Sequence, residues 1–230
     1  MTSALVLLPG LNCDERLWRD VISGLNAAVE PLVADYGAAD SIAGMAASVL
    51  ARAPERFALA GLSMGGYVAL EIMRQAPERV ERLALLDTAA GADDDARKQT
   101  RRAGIEAAEQ GKYGLVIRTM LAGLVAPQHL DTAIAADVLT MAERTGAQAY
   151  IRHQHAIMGR IDSRPSLADI AVPTLVGVGA LDMLTPPALA EEMAAAIAGA
   201  QLVLFAEAGH MSTMEAPEAV VGAMSGWMAR

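Results

Sequence analysis

The sequence predicts an α/β fold built on a parallel β-sheet, and two observations carry this prediction. Short apolar runs alternate with helix-forming runs along most of the 230-residue chain, which is typical of consecutive βαβ units. The residues are 53% hydrophobic and 20% charged, a composition that predicts a folded protein with a large core and excludes a disordered one. This length accommodates one α/β domain with an insertion, or at most two small domains.

Six strands are predicted from the apolar runs, and helices fill the segments between them. The strands are expected at residues 4–8, 29–34, 56–60, 83–87, 174–177 and 202–205. In the first half of the chain, helices are expected to begin near Asp14, Ile42 and Met64. Later helices are expected to begin near Pro187 and Pro217, because the first turn of a helix tolerates proline, whose missing N–H has no intrahelical acceptor there.

The segment between the fourth and fifth predicted strands has a different pattern. It contains little strand character, is rich in Ala, Arg, Gln and Met, and is divided by glycines into several short helical stretches. Because the chain then returns to the same sheet, we predict a helical lid inserted after the fourth strand and not an independent domain. The predicted division is a core of residues 1–88 and 166–230 and a lid of residues 89–165.

Composition also limits the partners and the compartment. The net charge of −9 argues against nucleic-acid and anionic-membrane partners, and an aromatic content of 3% argues against surfaces on which bases stack. A single cysteine, Cys13, excludes an intrachain disulfide. No apolar run has the length needed to span a bilayer, and the apolar N-terminus lacks the basic residues of a secretory signal. We therefore expect a soluble, cytoplasmic protein, and the sequence does not indicate its oligomeric state.

The most informative motif is Gly61-Leu62-Ser63-Met64-Gly65, which lies between a predicted strand and a predicted helix. A G-x-S-x-G pentapeptide in this context is the signature of a nucleophile elbow, a tight turn that holds the serine hydroxyl exposed at the top of the sheet. The turn requires small residues two positions before and two positions after the serine, and glycine has no Cβ. The N-terminus of the following helix would also stabilise negative charge near Ser63.

A serine hydroxyl is a poor nucleophile unless a base accepts its proton, and that base needs a group that orients it. The sequence contains four histidines, of which three fall in the predicted lid and one, His210, follows the last predicted strand. A loop after a parallel strand emerges at the same edge of the sheet as Ser63. His210 is therefore the candidate base.

Two aspartates lie just past predicted strands at that edge and are candidates for orienting the histidine. Asp182 follows the fifth strand in the loop that begins at Gly179, and Asp87 ends the fourth strand. The order of serine, aspartate and histidine along the chain fits either residue. We favour Asp182, because it lies one strand before His210 and its loop can bend toward the imidazole; Asp87 is the alternative.

An acyl-transfer site also needs hydrogen-bond donors for the oxyanion that forms during the reaction. One predicted donor is the backbone N–H of Met64, the residue after the nucleophile, and the second is the N–H of Leu11, in the loop after the first strand. Asn12 in the same loop either donates from its side chain to the substrate or caps its own turn. Cys13 offers a thiol as an alternative nucleophile, but it lacks the elbow setting.

Thirteen methionines are many for a chain of this size, and methionine fills irregular cores and adapts to varied ligands. Met183 and Met211 adjoin the candidate site and Met158 lies in the predicted lid, so these three are predicted to contact the substrate; the alternative is that most of the methionines fill the core. Apolar walls of this kind favour a small acyl or alkyl ester over a sugar or a peptide. Four cationic lid residues either bind a substrate carboxylate or form a solvated helix face: Arg118, Arg152, His153 and His155.

Taken together, these segments resemble the α/β-hydrolases. Residues 61–66 resemble the nucleophile elbow of that family, residues 179–182 its acid loop and residues 209–211 its histidine loop. Residues 9–12 resemble its oxyanion loop, although many relatives carry His-Gly where this chain has Pro-Gly. The resemblance covers nearly the whole chain apart from the lid. It is nearest to small serine carboxylesterase-like members, including enol-lactonases and carrier-protein methyl esterases.

The resemblance implies an α/β-hydrolase fold with a reduced, mostly parallel sheet of about six strands that is flanked by helices. It also implies a serine hydrolase in which Ser63 attacks a small apolar ester, His210 is the base and Asp182 stabilises the imidazolium. An acyl-enzyme is then hydrolysed, without a metal or an organic cofactor. A lactone, a thioester or a C–C bond would fit the same three residues. The remaining hypothesis is a protein that retains the fold and binds a small ligand without turnover.

Overall fold

The computed structural model describes residues 3–25 and 29–230, and it has the six-stranded α/β architecture that the sequence predicts. The strands of the described residues are β1 Ser3–Leu8, β2 Val29–Val33, β3 Phe57–Leu62, β4 Val80–Leu86, β5 Thr174–Gly179 and β6 Gln201–Phe205. Each predicted strand overlaps an observed one, and the predicted fold class is confirmed. Strand β4 begins earlier than predicted, because the partly buried Glu81 and Arg82 interrupt the apolar run from which the strand was inferred.

Helices cover the sheet and follow most of the predicted starts. They are α1 Arg19–Gly24, α2 Ile42–Leu50, α3 Met64–Gln75, α4 Asp95–Ala107, α5 Tyr113–Leu124, α6 Ala133–Met158, α7 Pro187–Ala196, α8 Ser212–Glu215 and α9 Pro217–Met228. Near Asp14 the chain first forms a short 3-10 turn over Glu15–Trp18, in which Asp14 accepts a hydrogen bond from Arg16 N (2.9 Å). Of the helices in the described residues, none has the combination of length and apolarity that crossing a membrane requires.

All strand pairs are parallel, and the order across the sheet is β2-β1-β3-β4-β5-β6. The chain leaves β1 toward one edge to form β2 and then crosses to the other side of β1 to form β3. In open parallel sheets, such a reversal leaves a crevice at the carboxyl ends of the two diverging strands. Here the crevice lies between β1 and β3, whose carboxyl ends lead into Gly10 and Ser63.

Helices on both faces of the sheet explain the nearly continuous apolar runs of its strands. Alternate residues of β1 enter different layers. Val6 and Leu8 pack in the layer with α2, α3 and α7, whereas Leu5 and Leu7 pack in the layer with α1 and α9. All residues of β3 are buried. Because a fully buried Val or Leu side chain contributes roughly 1.5–3 kcal/mol, the sheet is a rigid platform for the loops at its carboxyl edge.

The segment between β4 and β5, residues 87–173, is the helical insertion and contains α4, α5 and α6. Gly111, with φ 76°, lies in the bend between α4 and α5, and Gly146, with φ 80°, interrupts α6. Glycine adopts positive φ without steric cost, so these two positions set the bends of the insertion. The insertion reaches the core at Leu124, whose carbonyl oxygen accepts a hydrogen bond from His210 N (3.1 Å). Its boundaries of 89–165 and its role as a lid stay predictions.

Candidate active site

Ser63 lies at the turn between the end of β3 and the start of α3. Its backbone has φ 55° and ψ −117°, a conformation that costs energy in a residue with a Cβ and that is concentrated at functional sites. Residues at the end of the adjacent strand β4 hold this conformation. Ser63 N donates to Leu86 O (3.0 Å), and the Thr88 hydroxyl donates to Ser63 O (2.7 Å). The serine is thereby fixed at the carboxyl edge of the sheet.

Gly61 and Gly65 permit the tightness of this turn. A Cβ on Gly61 would lie 2.3 Å from Gly65 O, and a Cβ on Gly65 would lie 2.1 Å from Leu8 O. Real Cβ atoms do not approach backbone atoms so closely, so alanine at either position would force the backbone to move. The glycine spacing that singles out this motif in the sequence therefore has a steric cause.

His210 lies between Ser63 and a carboxylate. Its Nε2 is 2.8 Å from Ser63 Oγ, and its Nδ1 is 2.7 Å from Asp182 Oδ2. These distances fit the tautomer in which Nδ1–H donates to the carboxylate and Nε2 accepts from the serine hydroxyl. His210 and Asp182 are each 2% exposed, so water does not compete for the contact between them.

Asp182 is held as an ionised carboxylate. Its Oδ1 accepts from the backbone N–H groups of Leu184 (2.8 Å) and Thr185 (3.0 Å), and its Oδ2 accepts from the Thr185 hydroxyl (2.8 Å). Burial raises the pKa of Asp182, but the charge and hydrogen bond of His210 and the hydrogen bonds of Thr185 outweigh burial and lower that pKa below its ordinary value. The carboxylate can therefore stabilise positive charge on the imidazole.

Two opposing effects act on His210. Burial lowers the pKa of its imidazole, whereas the charge and hydrogen bond of Asp182 raise it, with a smaller contribution from the charge of Glu215. The net effect raises the pKa of His210 above its ordinary value. An imidazole with a raised pKa is a better proton acceptor, although it is neutral and able to accept a proton only above that pKa.

Asp87, the alternative acid, is buried at the same edge but has different partners. Its Oδ1 accepts from Gly179 N (2.8 Å), and its Oδ2 accepts from the Ser212 hydroxyl. Burial and repulsion from Asp182 raise the pKa of Asp87 to about 8, although the charge of His210 opposes the rise. Of the two candidate acids, Asp182 is hydrogen-bonded to the imidazole, and Asp87 connects the loops that follow β5 and β6.

Glu215 fixes the loop that carries His210. Its Oε1 accepts from the N–H groups of Gly209 (3.1 Å) and Met211 (3.0 Å), which flank the histidine in sequence. Its Oε2 accepts from Ala126 N of the helical insertion (2.7 Å). One carboxylate thus joins the histidine loop to the insertion and limits the positions that the imidazole can adopt.

The two predicted oxyanion donors lie beside Ser63. Met64 is the first residue of α3, and Leu11 follows Gly10, where a Cβ would lie 3.4 Å from the Ser63 Cβ. In the part of the chain that the structure describes, neither the Leu11 N–H nor the Met64 N–H donates a hydrogen bond to a protein acceptor. Both groups are therefore available to an oxygen atom of a bound substrate.

Cys13, the alternative nucleophile, lines the same cleft as Ser63, but its thiol is not activated. Burial and the negative charge of Asp14 raise the pKa of its thiol to about 12, against the opposing hydrogen bond with Gly10. The thiolate is the reactive form of cysteine, and a thiol with this pKa stays protonated at neutral pH. Its Sγ–H instead donates to Leu11 O (3.4 Å), within the same loop.

Ser63 and His210 open into a cleft of about 680 Å³ that lies between the carboxyl edge of the sheet and the helical insertion. This volume is in the range of small-molecule sites. Of the methionines predicted to contact the substrate, Met183 and Met211 line the cleft. Met211 is buried, whereas Met183 is 79% exposed and therefore lies at the entrance.

Two residues predicted to contact the substrate lie outside the described lining of the cleft, and the structure gives that role no support. Asn12 has φ 61°, and its side-chain oxygen accepts from the Tyr113 hydroxyl (3.1 Å), so its side chain supports the structure of the loop. Met158 is the last residue of α6. The four cationic lid residues named from the sequence also lie outside that lining: Arg118, Arg152, His153 and His155.

Sequence reasoning assigned no role to several polar residues of the site. Thr185, Ser212 and Glu215 each lie within five residues of Asp182 or His210 in sequence, and this proximity is the one signal that points to them. Arg97 and Arg101 line the cleft because of how α4 packs, which no local pattern predicts. The described residues contain no group of three or more His, Cys, Asp or Glu side chains arranged to hold a metal ion.

Known proteins similar to this chain include esterases. The family model described as "Alpha/beta hydrolase family" matches residues 5–223. The biotin biosynthesis bifunctional protein BioHC of Cellvibrio japonicus is 27% identical over 96% of this chain, which spans 46% of that longer protein. The pimeloyl-[acyl-carrier protein] methyl ester esterase of Pectobacterium carotovorum is 28% identical over 94% of this chain and 90% of its own length. The structure of a thermophilic esterase from Thermogutta terrifontis is 26% identical and superposes with a TM-score of 0.87, covering 100% of this chain and 90% of that one.

Proposed function

We propose that this chain, which belongs to the alpha/beta hydrolase family, is a serine hydrolase that cleaves a small carboxylic ester through an acyl-enzyme intermediate. The observation that carries the proposal is the continuous chain of hydrogen bonds from Ser63 Oγ through both nitrogens of His210 to Asp182. The two similar proteins that are named as esterases support an ester as the substrate.

In the first half-reaction, Ser63 Oγ attacks the carbonyl carbon of the ester while His210 Nε2 accepts the hydroxyl proton. The ionised Asp182 stabilises the imidazolium and holds the orientation of the ring. The oxyanion of the tetrahedral intermediate accepts hydrogen bonds from the N–H groups of Leu11 and Met64, and each such donor contributes about 3–4 kcal/mol to catalysis. His210 then donates its proton to the alcohol oxygen, the C–O bond breaks, and the acyl group remains on Ser63.

In the second half-reaction, a water molecule attacks the acyl-enzyme. His210 removes a proton from the water as the O–C bond forms, and a second oxyanion occupies the same two donors. Its collapse breaks the bond to Ser63 Oγ, which takes the proton back from His210, and the carboxylic acid leaves. None of these steps needs a metal ion or an organic cofactor.

The apolar lining of the cleft supports a small molecule with an apolar group beside the ester. Leu62, Met120, Leu124 and Met211 line the cleft together with Ser63, and apolar walls reward the burial of hydrocarbon. Residues 89–165 act as a lid in this proposal, because α4, α5 and α6 supply the wall that faces the sheet edge. A lactone or a thioester would undergo the same attack, so the substrate panel below includes both.

The test is a panel of p-nitrophenyl esters, lactones and thioesters assayed with the parent protein and with Ser63→Ala. Removing the nucleophile should reduce kcat by about 10⁴-fold or more while the circular dichroism spectrum stays unchanged. Ser225→Ala, a change of the same kind on the exposed surface of α9, is the control and should keep full activity. If Ser63→Ala hydrolysed the esters as fast as the parent protein, the proposal would be wrong.

A further inference from the structure

The cleft has a polar segment that the chemistry of Ser63 does not use. Its lining includes Arg97 and Arg101 of α4 and Tyr150 and Gln154 of α6. The described lining residues include these two arginines and no aspartate or glutamate. The chain as a whole has a net charge of −9, so two arginines without a carboxylate in the lining differ from the average of the chain. A concave, poorly solvated surface of one sign concentrates ligands of the other.

A buried ion cluster holds Arg101 in the cleft wall. Arg101 Nε lies 2.5 Å from Asp93 Oδ2, and Arg160 Nη2 lies 2.8 Å from Asp93 Oδ1. Burial raises the pKa of Asp93, but the hydrogen bonds and charges of both arginines lower it below its ordinary value, so the carboxylate is ionised. Two guanidinium groups therefore share one carboxylate, and the cluster keeps an uncompensated positive charge beside the cleft.

Arg101 also sets the direction of a buried chain of hydrogen bonds. Its Nη1 donates to Gln154 Oε1 (2.8 Å), which orients the amide so that Gln154 Nε2 donates to the Tyr150 oxygen (2.9 Å). Gln154 is 3% exposed and Tyr150 is 1% exposed. In residues 3–25 and 29–230 the Tyr150 O–H has no acceptor. A buried donor without a partner is costly, so this hydroxyl is prepared to donate to a ligand.

The wall is shaped around this hydroxyl. A Cβ on Gly104, which also lines the cleft, would lie 2.3 Å from the Tyr150 oxygen, so only glycine leaves room for the hydroxyl at this point of α4. Arg97 lies one turn before Arg101 on the same helix and so shares its face. Arg97 is exposed, and among the described residues its guanidinium has no ion-pair partner. Its planar fork of donors remains available to a carboxylate.

We propose that Arg97, Arg101 and Tyr150 form a carboxylate-binding subsite, so that the preferred substrate is an ester or lactone that carries a second, free carboxylate. Arg97 binds this carboxylate through paired N–H groups, Tyr150 donates a further hydrogen bond, and Arg101 contributes its charge. The apolar lining residues contact the carbon chain that separates the carboxylate from the scissile bond. The inference rests on the proposed function, because it names the substrate class of the Ser63 site.

The experiment compares the half-esters and the diesters of dicarboxylic acids from succinic to suberic acid. The two members of each pair have the same scissile bond and differ in the charge at the far end. The measured quantity is the ratio of kcat/KM for the half-ester to kcat/KM for the diester. The parent protein should give a ratio well above one at the chain length that spans the cleft.

Arg97→Gln and Tyr150→Phe should each lower this ratio by about tenfold or more, because each removes a hydrogen bond to the free carboxylate that only the half-ester carries. Arg102→Gln is the matched control for charge, since Arg102 is exposed on the same helix and lies outside the cleft lining. Tyr113→Phe is the control for the hydroxyl, since the Tyr113 hydroxyl is hydrogen-bonded to Ala142 O (2.7 Å). Both controls should keep the parent ratio.

If the ratio were equal in the parent protein, Arg97→Gln and Tyr150→Phe, the proposed subsite would be wrong. The proposed hydrolase function would not be affected by this result. If neither ester were cleaved above the Ser63→Ala blank, the p-nitrophenyl esters would decide whether the proposed function fails, and the subsite would be tested by binding. For that purpose, adipate is titrated into Ser63→Ala and into Ser63→Ala with Arg97→Gln by calorimetry. At least about tenfold weaker binding in the double variant is expected. Equal affinity would refute the subsite.

Discussion

The two walls of the cleft are held by different means. At the carboxyl edge of the sheet, Ser63, Asp182 and His210 lie on short loops whose backbone groups are hydrogen-bonded to neighbouring strands and loops, and the last two are each 2% exposed. The opposite wall belongs to the helical insertion, where the ion cluster of Asp93, Arg101 and Arg160 holds part of the wall and Leu115 on the cleft is 58% exposed.

This difference separates reaction from recognition. A chain of proton transfers needs donor–acceptor distances fixed near 2.8 Å, and only loops anchored on a buried sheet supply such precision. Recognition of the remainder of a substrate needs a surface that can change without disturbing those distances, and the side chains of α4 and α6 on the cleft form such a surface. Changes at the sheet edge should therefore alter kcat for every substrate, whereas changes in the insertion should alter the ratio between substrates.

The largest effect among single changes at the sheet edge, apart from loss of the serine, is expected for Asp182→Asn. The amide keeps the size of the side chain but donates where the carboxylate accepted, which favours the wrong tautomer of His210. We expect kcat to fall by about 10⁴-fold with little change in KM. Steady-state kinetics check this, with Asp40→Asn, at an exposed position, as the control. An Asp182→Asn variant with more than a tenth of parent kcat would point to Asp87 as the acid.

A smaller effect is expected for Glu215→Gln, which acts on His210 through the loop. The glutamine amide has one oxygen for three backbone donors, so at least one buried N–H loses its partner. We expect kcat to fall by about tenfold with KM unchanged and the free energy of unfolding to fall by about 1–3 kcal/mol. Glu218→Gln, exposed in the first turn of α9, should change neither quantity. A higher KM with parent kcat would assign Glu215 to substrate binding instead.

The pH dependence of the reaction follows from His210. Its imidazole accepts a proton only when neutral, and its pKa is raised above the ordinary value of 6.5. We therefore expect kcat/KM to rise with pH through a midpoint above 6.5 for every substrate. Asp182→Asn removes the main cause of the raised pKa of His210. The residual activity of this variant should therefore have a pH midpoint below that of the parent protein. A midpoint that does not move in the variant would contradict this assignment.

The smallest effect is expected for Asp87→Asn, and it concerns stability. The pKa of Asp87 is raised from 3.8 to about 8 on folding, so its contribution to stability is complete below pH 3.8 and is lost as the pH rises toward 8. Asparagine cannot ionise and imitates the protonated carboxyl. Urea denaturation should show the variant gaining stability relative to the parent protein between about pH 5 and about pH 8. A difference between them that stays constant with pH would show that Asp87 keeps an ordinary pKa.

The sequence predicts the sheet edge better than it predicts the insertion. Ser63 is predictable because the steric demands of the elbow impose a glycine pattern, and His210 and Asp182 are predictable because parallel strands deliver their following loops to one edge. The choice between Asp182 and Asp87 depends on side-chain direction, which spacing does not encode, so both remained candidates. In the insertion, helix packing decides which residues face the cleft. This is why the sequence indicates neither that Arg97 lines the cleft nor that Met158 lies outside its described lining.

Covalent labelling of the folded protein with a fluorophosphonate, followed by peptide mass spectrometry, tests whether His210 activates Ser63. An activated serine reacts with the probe, whereas an ordinary serine does not. We predict a single adduct on Ser63 in the parent protein and strongly reduced labelling in His210→Ala, which lacks the base. If the probe left Ser63 of the folded protein unlabelled, or labelled Ser63 equally with and without His210, Ser63 would not be a nucleophile activated by His210.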